Sequence, residues 1–160
     1  MADSGVLSVI LESFETNCRR LFGFLSDEYG CTSTSLREPV RVLVYEICFS
    51  NSTTGIRVQL EYMEGLLYVF VCRVTDQTIA EIPIFTDASH SADAVFLDEI
   101  ITLRNPRLAV EQVSGQTLTP KRIAELLSAY AKALRSCAED ALRGDLKVLD
   151  EVRRRPGIRR

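Results

Sequence analysis

The chain has 160 residues, of which 46% are apolar and 26% are charged, a balance typical of ordinary globular domains and unlike that of disordered, collagen-like or membrane proteins. The formal net charge is −3, but the last eight residues hold five arginines and no acid, so residues 1–152 carry −8. An acidic body repels phosphate backbones unless its basic residues collect on one face. We therefore expect a single domain over residues 1–152, a basic, flexible tail over residues 153–160 and no nucleic-acid partner.

The sequence predicts neither a membrane span nor an export signal. Its longest uncharged apolar run, residues 66–72, is far shorter than the roughly 20 residues that a membrane-spanning helix needs. The N-terminal residues lack the positive start and small-residue cleavage site of a secretory signal. The cysteines are odd in number and widely spaced, which favours reduced thiols in or near the core. They are Cys18, Cys31, Cys48, Cys72 and Cys137. We expect a soluble, cytoplasmic protein.

The first predicted element is a helix capped by Ser4. Its apolar residues recur at steps of three and four, which indicates one buried face. They are Leu7, Ile10, Leu11, Phe14, Cys18 and Leu21. In the following segment, FGFLSDEYGC, Gly23 and Gly30 predict the end of the helix and a turn toward a sheet. The side chains expected to pack in the core there are Phe22, Phe24 and Leu25.

Residues 39–76 have a period of two, which predicts an antiparallel meander. Three strand-like runs, VRVLVYEICF, GIRVQLEYME and LLYVFVCRV, are separated by NSTTG and by a tight turn at Glu64 and Gly65. CTSTSL, which precedes them, predicts a short edge strand. The middle run alternates, so its polar side is predicted to face solvent. That side comprises Arg57, Gln59, Glu61 and Met63. The flanking runs are apolar on both sides, so we expect a helix or a partner to cover part of this second side.

Residues 77–91 are predicted to form a loop, because Pro83 and the run TDASHS favour turns. A short helix that ends before Pro106 is predicted next. Its apolar side comprises Val95, Phe96, Ile100 and Leu103. The run RLAVEQV, residues 107–113, fits either a helix or a strand.

Leu118, Thr119 and Pro120 give the strongest local signal, a staple residue, a cap and a proline at the first position of a long helix. Gly144 suits the left-handed position after that helix, and Asp145 can cap a last short helix. The predicted buried face of the long helix is Ile123, Leu126, Leu127, Tyr130, Ala131, Leu134, Cys137 and Ala141. The fold class predicted is α+β, with an N-terminal helix, an antiparallel meander sheet of three to four strands and C-terminal helices packed on one face.

No motif for catalysis, for a cofactor or for a metal is recognisable, and we expect none of these sites. One histidine and no closely spaced pair of cysteines oppose a zinc site, and scattered glycines oppose a phosphate loop. His90, between Asp87 and Asp93, would be the first candidate for a general base, but a lone histidine in a polar loop is more often exposed or a cap. Cys31 follows Gly30 without an activating neighbour in the sequence.

Three segments carry a loose resemblance: FGFLSDEYGC, the strands VRVLVYEICF and GIRVQLEY, and LLSAYAKALRSCAEDALRGD. Together they resemble a group of small uncharacterised bacterial α+β proteins, over roughly residues 14–152. Members of this group are often encoded near secreted toxins, and some act as immunity proteins. The resemblance implies a fold and an immunity-like role, and it transfers no active-site residue.

The leading hypothesis is an interaction protein without catalytic activity that covers the surface of another protein, and an immunity role would match an acidic body to a basic toxin. The candidate partner-binding residues are Arg57, Gln59, Glu61, Met63, Asp87, Asp93 and Asp98. The basic tail, if it has a role, is expected to contact an acidic surface. Two alternatives stay open, a small enzyme whose cleft is assembled from residues distant in sequence and a homodimer whose sheets or long helices pair.

Overall fold

The computed structural model describes residues 4–35, 39, 42–82 and 93–155. Its helices are α1 (Ser4–Leu21), α2 (Phe24–Tyr29), α3 (Leu97–Arg104), α4 (Pro120–Cys137), α5 (Glu139–Leu142) and α6 (Lys147–Arg154). Its strands are β1 (Thr32–Ser35), β2 (Val44–Ser50), β3 (Thr54–Glu61), β4 (Leu66–Thr75), β5 (Thr78–Ile79) and β6 (Ala94–Phe96). The order of helix, antiparallel sheet and C-terminal helices confirms the predicted α+β fold.

The sheet is antiparallel throughout, with β1, β2, β3 and β4 side by side in that order. The edge strand predicted in CTSTSL is β1, which pairs Thr32 with Ser50. Two short strands extend the sheet beyond the prediction, since β6 pairs with the middle of β4 and β5 pairs with its end. The described part of the sheet therefore has six strands rather than three or four.

The first face of the sheet carries the main core. Alternate residues of β2, β3 and β4 point to this face, and α1 and α4 pack together as part of the same core. The core residues of these strands are Tyr45, Ile47, Phe49, Ile56, Val58, Leu60, Leu67, Val69 and Val71. The predicted face of the long helix is buried, and Phe22, Phe24 and Leu25 are buried as expected. On the predicted face of the first helix, Ile10, Phe14 and Cys18 are buried, whereas Leu7, Leu11 and Leu21 are partly buried against the core. Among the described residues, no helix has the length and apolar character needed to cross a membrane.

Local signals place the ends of the C-terminal helices. Thr119 Oγ1 accepts a hydrogen bond from Arg122 N at 3.1 Å, which confirms the predicted cap of α4. Gly144 has the left-handed conformation predicted for it, with φ +97, but it follows α5 rather than the long helix. Asp145 Oδ1 accepts a hydrogen bond from Lys147 N at 3.2 Å, although Leu146 rather than Asp145 directly precedes α6. The long helix is nevertheless shorter than expected. It ends at Cys137 because Ala138 has φ −129 and ψ 23, and Ala141 belongs to α5.

Three other predictions of secondary structure need correction. Val95 and Phe96 lie in β6 rather than in the short helix, which begins at Leu97. Residues 24–29 form α2, a short helix in the segment where the sequence predicts a turn toward the sheet. β2 begins at Val44, because the chain turns at residues 42–43 and Leu43 has φ +53. The ambiguous run RLAVEQV forms a short 3-10 turn that ends at Leu108, followed by irregular chain.

Candidate functional site

The second face of the sheet, opposite the main core, is lined by the alternate residues that the core does not use. The register places Glu46 opposite Gln59, and Cys48 opposite Arg57. On the other side of β3, the neighbours across β4 and β6 are mostly apolar. They are Tyr68, Phe70, Cys72, Ala94 and Phe96.

A hydrogen-bonded charge pair occupies the centre of this second face. Arg57 Nη1 donates to Glu46 Oε1 at 2.7 Å, and Gln59 Nε2 donates to Glu46 Oε2 at 2.7 Å. Glu46 is 4% exposed and Gln59 is 6% exposed. Burial lowers the pKa of the Arg57 guanidinium, but Glu46, Cys48 and Cys72 together raise it by more, so this pKa is raised overall. The prediction that this side of β3 faces solvent is wrong at Arg57 and Gln59.

The chain itself covers part of the second face, where a helix or a partner was expected. After β4, residues 76–77 form a tight turn in which both residues have positive φ, and residues 78–82, here called the strap, fold back. Ile79, Ala80 and Ile82 pack against the cluster formed by Phe70 and Cys72. The strap also supplies backbone acceptors, because Arg57 donates through Nη2 to the carbonyl of Ile79 at 3.3 Å and through Nε to that of Ala80 at 3.2 Å. The Arg57 guanidinium is thus hydrogen-bonded both to Glu46 and to the strap.

The thiols are unsuited to nucleophilic attack. Burial raises the pKa of Cys48 to about 12, with further increases from the neighbouring Glu46 carboxylate, and burial raises the pKa of Cys72 to about 12. Burial likewise raises the pKa values of Cys18, Cys31 and Cys137. A reactive cysteine needs a lowered pKa. All five residues are unpaired in the structure, and Cys48 is the most exposed of them, so their environment fits the structural role predicted for Cys31.

The acidic candidates bond to different neighbours. Asp93 Oδ1 accepts from Arg73 Nε at 2.9 Å. Both carboxylate oxygens of Asp98 lie 3.2 Å from the hydroxyl of Tyr130, which is fully buried. Asp87 lies outside the described residues, as does His90.

Two polar groups that matter for this architecture were missed in the sequence. Glu46 was detectable, because it is the one charged residue in the run VLVYEICF and strand alternation places it on the same side as Cys48. Gln112 was not. Its side-chain amide bonds to both the N–H and the carbonyl of Leu67 at 2.7 Å and donates to the Tyr130 hydroxyl at 2.7 Å, so a single side chain takes the place of a neighbouring strand at this edge of β4.

Three exposed apolar side chains lie on segments that are hydrogen-bonded to one another at one end of the sheet. Val42, Met63 and Val113 are 85%, 64% and 60% exposed, and we call these three residues the sheet-end surface. Their segments are tied together, because Tyr62 N donates to the carbonyl of Leu43 at 3.0 Å. The N–H of Gly115 also donates to the carbonyl of Glu64 at 2.8 Å, and Ser114 donates to the Glu64 carboxylate.

The described residues provide no alternative centre for metal chemistry, since no three His, Cys, Asp or Glu side chains among them are placed to hold a metal ion. No protein-family model, curated protein or solved structure matches the chain. The molecule is therefore defined by its fold, an α+β domain with one face buried under helices and the other partly covered by its own strap. Its two distinctive features are the internal Glu46–Arg57 pair and the sheet-end surface.

Proposed function

We propose that this chain is a protein-interaction module of the cytoplasm that covers the surface of another protein, with its binding centred on the sheet-end surface. One observation carries the proposal. Three of the five large apolar side chains that are most exposed among the described residues lie on segments that are hydrogen-bonded to one another. Grouped exposed apolar side chains rimmed by polar residues mark binding surfaces.

The candidate residues on β3 and the turn after it fall into two groups, those bonded within the chain and those open to a partner. Arg57 and Gln59 are bonded within the chain and contribute to folding, whereas Met63 and Glu61 lie at the end of the sheet where a partner has access. Glu61 and Glu64 give this surface an acidic rim, although Glu61 also accepts hydrogen bonds from the backbone N–H groups of Met63 and Glu64, both at 3.1 Å. An apolar centre with an acidic rim suits a partner that presents an apolar patch among basic residues.

Placing carboxylates in the sheet-end surface is expected to weaken binding. The double variant Met63→Glu and Val113→Glu should lower the affinity for the co-purifying partner by about tenfold or more, because each carboxylate must be desolvated in an apolar interface. The measurement is a titration with the partner recovered with the tagged chain from its native host.

A matched control is available on α1. Val6 and Val9 are 48% and 55% exposed, so the double variant Val6→Glu and Val9→Glu introduces the same charges on a different surface and should leave the affinity unchanged. Equal losses in the two double variants would reject the sheet-end surface. Recovery of the wild-type chain always alone would count against an interaction module.

Homodimerisation can be separated from binding to another protein in the same set of variants. The apolar second face of the sheet is one argument for a homodimer, because such a face must be covered. The strap already covers this face at Phe70 and Cys72, which weakens that argument. We expect light scattering to give the mass of one chain, 17.9 kDa, at every concentration tested. A mass that doubles with concentration, and returns to one chain in the Met63→Glu and Val113→Glu variant, would favour the homodimer.

We propose toxin neutralisation as the specific form of the interaction. Its support is the resemblance to immunity-like proteins and the charge of −8 over residues 1–152, which would speed encounter with a basic toxin. The protein encoded beside this one should arrest growth when expressed alone, and co-expression of the wild-type chain should restore growth. Growth that stays arrested although the chain is abundant and soluble would contradict this role.

A further inference from the structure

The strap and the face beneath it differ sharply in burial. No residue of the strap is fully buried, and its Thr78 and Glu81 are exposed. The residues beneath it, by contrast, include the fully buried Cys72 and the 4% exposed Phe70. Few polar contacts hold the strap among the described residues. They are the two residue pairs of β5, the hydrogen bond from Ala80 N to the carbonyl of Arg73 at 2.9 Å and the two hydrogen bonds from Arg57.

We propose that the strap opens as a local unit while the main core stays folded, and that this opening exposes Arg57 and Cys72 on the second face of the sheet. The inference concerns residues 78–82 alone and does not depend on the sheet-end surface or on any partner.

The energetics favour such a local opening. Lifting the strap exposes the half-buried side chains of Ile79 and Ile82, a smaller apolar area than the main core would lose. Two hydrogen bonds from Arg57 to the strap are exchanged for hydrogen bonds to water. Water also gains access to the Glu46–Arg57 pair, which offsets part of the desolvation cost of holding two charges at a buried site. Segments with few buried apolar contacts open at a lower free energy than the whole domain.

Gly55 offers a means of loosening the strap without altering the main core. A Cβ placed on Gly55 would lie 2.8 Å from Cγ2 of Ile79, closer than real contacts allow, while its backbone conformation is one that alanine adopts without strain. Gly55→Ala should therefore push Ile79 outward. Ile79→Ala loosens the strap in another way, because it removes most of the side chain that packs over Gly55. It serves as a second variant if Gly55→Ala does not fold.

Thiol labelling reads the opening residue by residue. Cys72 reports on the strap, while Cys18 and Cys137 lie in the main core and report on unfolding of the whole domain. Because burial raises the pKa of all three thiols, each reacts at neutral pH only when its surroundings open. The experiment treats the native full-length chain with a maleimide and follows each cysteine by peptide mass spectrometry.

We expect Cys72 in the wild type to be labelled at least about tenfold faster than Cys18. In Gly55→Ala or Ile79→Ala the rate at Cys72 should rise by about a further tenfold, with Cys18 and Cys137 unchanged. Equal rates at Cys72 and Cys18 in the wild type would overturn the proposal, because Cys72 would then open only with the whole domain. Variants that accelerate all three cysteines together would overturn it as well.

Discussion

Replacing Phe22 with alanine is expected to lower the free energy of unfolding by about 3–5 kcal/mol, the range for deletion of a fully buried aromatic ring. Phe22 has no exposed surface and lies between two other rings, with centroids 6.4 Å from Phe24 and 6.0 Å from Phe49. It therefore joins the end of α1, α2 and β2. Urea denaturation followed by circular dichroism measures the loss.

Phe22→Leu is the matched control, since it keeps most of the apolar volume and should cost under about 1.5 kcal/mol. Domains of ordinary stability unfold with about 5–15 kcal/mol, so the alanine variant should remain measurable but be clearly less stable. A loss below about 1 kcal/mol in Phe22→Ala would mean that the aromatic cluster does not join these elements.

Replacing Glu46 with methionine is expected to lower the free energy of unfolding by about 3 kcal/mol or more. The change leaves Arg57 largely buried without its counter-charge and removes the acceptor of the Gln59 amide, and an uncompensated buried charge costs about 3–5 kcal/mol. Arg57→Met should also destabilise, because Glu46 would lose its cationic partner. Urea denaturation of the two single variants measures both losses.

The double variant Glu46→Met and Arg57→Met distinguishes the net contribution of the pair to stability from the destabilisation caused by removing only one partner. Apolar replacement of a whole buried ion pair is often neutral or stabilising, so the double variant should be more stable than either single variant. Additive losses in the double variant would show that Glu46 and Arg57 do not act as a pair.

The elements governed by local patterns were predictable from the sequence. The period of α1, the cap at Thr119 and the alternation of β3 all depend on residues that are close in the chain. β6 was not predictable in this way, because Val95 and Phe96 have spacings that suit a helix as well as a strand. Pairing with β4 decides between them, and the helix starts one residue later, where the Glu99 carboxylate accepts the N–H of Phe96 at 3.1 Å.

The candidate site, like the fold, was predictable from the sequence only in part. Alternation correctly placed Arg57 and Gln59 on the face opposite the core, but it could not show that this face is covered. The cover comes from the strap, which returns over Gly55 after a two-residue turn, and the charge on Arg57 is met by Glu46 on the neighbouring strand. Both the cover and the charge pair depend on contacts between separate segments of the chain. The pattern of polar residues along a strand is the same whether water or a carboxylate lies next to them.

Amide hydrogen exchange, compared between the free chain and its complex with the co-purifying partner, tests most directly whether the sheet end is the binding surface. We expect added protection at residues 61–65 and 111–115, with exchange in α1 unchanged. Protection confined to α1 or to the arginine-rich C-terminus, with none at the sheet end, would contradict the proposed mode of binding.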